Sequence, residues 1–199
     1  MRFITAPTPY HRVRDLLNRC FELEARLPGQ VLQRVPQAHA FFEFDEVFSE
    51  TFWNAMKGLL SHYGDDTVIF SVVEPDPESY FYKEFGYYPA MELSRAVRGD
   101  QYLSLFSFVP DDSPADALLH NSQALVFLSQ SGGMAIWADR DLELGLLALY
   151  DGSGVQAPNI LPESVQWFDV HRAIEVISPA FTGGRVPGQV HDELMAHYG

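Results

Sequence analysis

The chain contains a single cysteine, Cys20, in 199 residues, so no disulfide can form within it and a small disulfide-stapled scaffold is excluded. Basic residues are also scarce. Thirteen Lys and Arg stand against 27 Asp and Glu, a formal net charge of −14, and a field of that sign repels phosphate backbones and anionic lipid surfaces alike. Nucleic acid and membrane are therefore disfavoured as partners, and a basic protein is favoured. No run approaches the roughly 18 apolar residues that a membrane helix requires, and the N-terminal MRFITAPTPYHRVRD has no apolar signal core before its prolines. These absences lead to the expectation of a soluble, cytoplasmic protein.

Local catalytic signatures are missing too. GxSxG, the phosphate loop, GxGxxG, HExxH and paired CxxC do not occur. The seven histidines are scattered, and only His191 and His197 are close; six residues apart on a helix, they point to different sides. No metal, cofactor or catalytic residue is assigned from these patterns.

What is present is bulk. Apolar residues make up 47% and aromatics 14%, with 15 Phe and 9 Tyr, which suits one densely packed domain over residues 1–199. The charge is uneven. Residues 1–34 hold six arginines against three acids, leaving −17 on residues 35–199.

Val13, Leu16, Leu17, Cys20, Leu23 and Leu27 recur at helical spacing and predict an amphipathic helix over 10–27, stopped by Pro28-Gly29, with Cys20 as a buried structural thiol on its apolar stripe. Ser49 reads as the N-cap of a second helix that ends at Gly64. Residues 67–73 read as a strand covered on both faces, halted by Pro75 and Pro77. Residues 102–108 read as another strand, and 111–120 as a short helix with Pro114 near its start. Ala124–Leu128 and Met134–Trp137 form a hairpin about Ser131-Gly132-Gly133, and Leu142–Leu149 follows a charged turn as the third strand of a meander, with Gly145 at a bulge or close approach. Gly152 and Gly154 mark a loop, and helices are expected over 164–177 and from Gln189. The sum is α+β: a mostly antiparallel sheet flanked by amphipathic helices.

Acids alternate in three places: Glu43 and Asp45; Glu74, Asp76 and Glu78; Asp139, Asp141 and Glu143. On extended chain each set shares a side, either as a solvated edge or as oxygen ligands for a hard cation. The stretch WADRDLE admits two readings. It is a hairpin turn, with Asp139 and Asp141 bonding turn amides, Arg140 pairing locally with Glu143 and Trp137 in the core, or an interface, with Trp137 packed beneath as aromatic anchor, Arg140 as bidentate donor, and Asp139, Asp141 and Glu143 offering charge to a partner.

The pattern GGMAIWADRDLELGLLAL, a glycine turn, an aromatic strand, a charged turn and an apolar strand, resembles small bacterial immunity proteins of polymorphic toxin systems over residues 124–149. That resemblance implies a cytoplasmic protein that neutralises a toxin by binding. Acidity leads the same way, since enzymes acting on polyanions are commonly basic and opposite charge steers association. The leading expectation is a non-catalytic binding protein. A carboxylate- or metal-dependent hydrolase and a small-molecule sensor built on the aromatics of 80–88 stand as alternatives.

Overall fold

The computed structural model describes residues 2–110, 113–150 and 161–199. Six strands form one sheet: β1 (Ala38–Glu43), β2 (Thr67–Glu74), β3 (Ala90–Ser94), β4 (Ala124–Ser129), β5 (Met134–Asp139) and β6 (Leu144–Leu149), in the order β1-β6-β5-β4-β2-β3 with every pair antiparallel. Helices flank it: α1 (Pro7–Leu17), α2 (Glu50–Tyr63), the short α3 (Lys83–Phe85), α4 (Gly99–Phe106), α5 (Leu118–Asn121), α6 (Val170–Ile177) and α7 (Gly188–Tyr198). The fold is α+β.

Both faces of the sheet are covered, which explains why β4, β5 and β6 are buried at every position and carry no polar alternation. Phe127, Ile136 and Leu147 pack toward α2 and α4. Val126, Trp137 and Leu146 pack on the other face with α6, α7 and the segment following α1. Gly145 is required where β6 meets β1: a Cβ there would lie 2.1 Å from the Phe42 ring.

Local chemistry sets several boundaries. Ser49 Oγ accepts the Phe52 N–H at 3.0 Å, capping α2, and Gly64 ends it at φ 71°. Trp53 stacks on Tyr102 at 4.8 Å, and the polar tips of both donate to main chain, Trp53 Nε1 to Val97 O and Tyr102 Oη to Val47 O, each at 2.7 Å.

Four expectations need correction. The helix expected over 111–120 is, among the described residues, one tight turn at Pro114–Asp116 and the separate α5, divided at Ala117, whose ψ of 138° is not helical. The first helix covers 7–17, not 10–27: at Phe21, which is fully buried, the chain turns to bridge Leu32, and Cys20 O accepts from Gln33 N–H. Cys20 is nonetheless buried, and burial pushes its thiol pKa up against the influence of Arg34 and Arg19. Residues 102–108 are not a strand. Tyr102, Leu105 and Phe106 are buried at helical spacing in α4, whose start is fixed by the Arg98 N–H donating to Gln101 Oε1. The helix expected over 164–177 begins only at Val170, where Asp169 caps it through the Arg172 N–H. β1 had no counterpart among the expected strands. Asp111 and Asp112, and the Gly152–Gly154 loop, lie outside the described residues.

Candidate functional site

The charged turn joins β5 to β6 at one end of the sheet, where Asp139 pairs with Leu144 in the last register position. Glu143 N–H returns to Arg140 O at 3.0 Å, and Leu142 N–H donates to Asp139 Oδ1 at 3.4 Å. Glu143 sits at φ 56°, the one non-glycine residue with positive φ among the described residues. A Cβ at that angle crowds the following carbonyl, a strain that glycine would avoid.

Arg140 locks the turn to the body. Its Nε donates to Ser122 O at 2.8 Å and its Nη2 to Leu119 O at 2.7 Å, while the guanidinium lies 4.7 Å from the Phe44 ring centre. Burial pulls its pKa down, and the charge of Asp45 opposes that pull. The cation is thus committed to carbonyls at the end of α5 instead of reaching outward.

Trp137 and Asp139 are not surface groups, which corrects the expectation of an aromatic anchor and an exposed acid. Trp137 is fully buried, its ring 6.0 Å from Phe21 and beneath the Arg26 guanidinium at 5.6 Å. Asp139 is 2% exposed. Strand alternation puts both on the same inner face, and Asp139 Oδ2 and Trp137 Nε1 are buried without a hydrogen bond of normal geometry. Burial pushes the Asp139 carboxyl up; the Leu142 and Leu27 amides and the Trp137 indole pull the other way, and the Asp141 charge adds to the rise. The turn reading accounts for these two residues, but its local pair of Arg140 with Glu143 does not form, because the guanidinium is turned to the carbonyls of Ser122 and Leu119.

Asp141 and Glu143 do face solvent. Glu143 meets a second acidic set that the sequence showed separately. Phe44 N–H donates to Glu143 O at 3.0 Å, and Glu43, Asp45, Glu143 and Arg140 line a cleft of about 260 Å³ with Val176 of α6 at its side. Glu43, Asp45, Asp141 and Glu143 are all exposed, and none makes an ion pair among the described residues. Both sets are visible in the sequence but their meeting is not, because it depends on β1, which carries no clear strand signal and brings Glu43 beside Leu144. Among the described residues no three His, Cys, Asp or Glu side chains converge to hold a metal ion.

The third acidic set is occupied. Glu74 accepts from Arg26 Nε at 2.5 Å, Glu78 from Arg14 Nη1 at 3.0 Å, and Asp76 Oδ1 from the Ser79 and Glu78 amides. Burial alone would raise the Asp76 pKa; the amides and the Arg14 charge outweigh it and hold the carboxyl below its usual range. Several aromatics of 80–88 are taken up by neighbours: Tyr82 stacks on Tyr88 at 4.4 Å, Tyr88 on Tyr10 at 4.0 Å, and Tyr80 donates to Asp116.

Comparison with protein-family models, curated proteins and solved structures finds no match for this chain.

Proposed function

We propose that the chain is a non-catalytic binding protein whose acidic cleft receives a basic segment of a partner protein. One observation carries the reading: four exposed carboxylates that make no ion pair among the described residues gather around a turn held from below by Arg140, and the single charge of Arg140 leaves the group net acidic. Charge left unneutralised on a fixed frame steers a basic partner and keeps its orientation. The backbone strain retained at Glu143 supports it, since strained non-glycine positions concentrate at sites of function. The resemblance of residues 124–149 to immunity proteins supports a more specific form, in which the partner is a basic toxin met in the cytoplasm.

The test is capture from host-cell extract by the immobilised chain, beside an Asp45→Lys/Glu143→Lys variant of equal thermal stability. The expected result is a basic protein held by the original chain, with an association rate that falls steeply with salt and at least about tenfold on charge reversal. A partner indifferent to both salt and reversal, or no partner at all, would overturn the reading.

A further inference from the structure

The two edges of the sheet are closed differently. At the β1 edge, Phe41 and Phe168 exchange both main-chain bonds at 2.8 Å. At the β3 edge only the first residues are met: Ile4 donates to Ala90 O at 3.1 Å and accepts from the Tyr88 N–H at 2.7 Å. Main-chain bonds alternate in direction along an antiparallel strand. Pro89 bonds inward to Val72 and Ala90 bonds outward to Ile4, so the N–H and C=O of Glu92 also turn outward, and no described residue outside the sheet bonds them.

An open groove of about 470 Å³ lies beside this edge, on the face carrying Met91, its floor and walls formed by Phe3, Tyr87, Met91, Leu105 and Phe108 and its rim by Arg2, Thr5 and Ser104. Phe108 is 43% exposed and its neighbour Val109 41%, two of the four exposed large hydrophobic residues among those described. The Glu92 side chain is exposed on the opposite face and makes no ion pair among the described residues.

We propose that the β3 edge takes an extended segment of a partner protein as an added strand, with the side-chain order apolar, basic, apolar. An unpaired edge offers main-chain bonds to any strand, and specificity comes from what alternate side chains meet. The residue opposite Glu92 places a Lys or Arg beside its carboxylate. Its two neighbours, pointing to the other face, lay apolar side chains over Met91 into the groove. A second copy of this chain is a poorer occupant, because β3 paired about Glu92 with its own copy would set two carboxylates against each other. The site lies on the opposite edge of the sheet from the acidic cleft and does not rest on that reading.

The experiment is an amide NMR titration of the full chain with the blocked peptide acetyl-TVKVT-amide, up to about 1 mM, the range where a short strand of modest affinity registers. Shifts confined to residues 2–5, 87–95 and 104–109 are expected, with slowed solvent exchange of the Glu92 amide. Acetyl-TVPVT-amide, whose central residue has no N–H to donate, should produce none. Ser104→Trp, which fills the groove from an exposed helical position, should weaken binding about tenfold with the melting temperature retained. Absence of shifts, or shifts that survive the proline, would overturn the proposal. So would β3 shifts that grow with protein concentration alone and accompany a doubled mass in light scattering, which would make a second copy the occupant.

Discussion

At the end of β2 and around the β5–β6 turn the chain carries the same pattern, acids at alternate positions, and the two regions use it in opposite ways. Arg26 and Arg14 reach Glu74 and Glu78 from α1 and the segment after it, and His11 lies 3.4 Å from Glu78. Glu43, Asp45, Asp141 and Glu143 make no ion pair among the described residues; Arg140, whose charge Asp45 feels, gives its hydrogen bonds to the carbonyls of Leu119 and Ser122. An alternating acidic run therefore locates a row of carboxylates but does not tell whether the row is free. That depends on which arginines the tertiary fold delivers, and only the unneutralised row has charge to offer a partner.

The harshest way to break this comparison is Trp137→Ala. Trp137 lies in the core beneath Arg26 and two residues from Asp139, so the substitution should lower unfolding free energy by about 3–5 kcal/mol. Urea denaturation reads it directly; a variant of unchanged stability with impaired partner binding would return Trp137 to the surface and contradict its burial in the core. Arg140→Met comes next. Stripping two charge-assisted bonds from partly buried carbonyls should remove about 2 kcal/mol, measured in the same way, and the turn should then exchange its amide protons faster.

Glu143→Gly sharpens the contrast because its two effects have opposite signs. Relief of the positive φ should stabilise the fold by about 1 kcal/mol, while the lost carboxylate slows association with a basic partner. In the crevice that Glu74 lines with Tyr10, Arg14, Arg26 and Asp76, Glu74→Gln should lower stability by no more than about 1 kcal/mol, since the pair with Arg26 is partly solvated, and leave association rate unchanged. If the crevice variant slowed binding and the turn variant did not, the roles assigned to the two regions would be reversed.

The last prediction concerns a slope. The Asp139 carboxyl is raised by burial, so the folded protein holds its proton to higher pH than the unfolded chain does. In the window from the ordinary aspartate value up to the raised one, this group makes stability fall as pH rises. Asp139→Asn should remove that part of the pH dependence, as followed by denaturation at a series of pH values. An unchanged slope would place the titrating group elsewhere.

Much of the fold was legible because its signals were local. Ser49 and Gly64 bracket α2 through bonds made within a few residues, and Gly132 takes the positive φ that the β4–β5 turn demands. The meander of β4, β5 and β6 followed from apolar runs separated by turn chemistry. Residues 102–108 satisfy an alternating pattern as well as a helical one, and packing of Phe106 on Phe48 and Phe70, with Tyr102 against Phe106 and Trp53, decides for the helix. The site was half legible. The turn and its acids were found, but whether Trp137 points inward depends on a second covered face, and the approach of Glu43 and Asp45 depends on β1.

Composition and turn chemistry alone determined the sign of the charge, the absence of disulfides, the meander and its charged turn, because those properties reside in single residues or in bonds between near neighbours. Only the tertiary structure decided which acids are neutralised, which face of β5 is buried and which strand edge stays open. Those outcomes rest on contacts between segments far apart in the chain, and no local pattern records which segment will arrive.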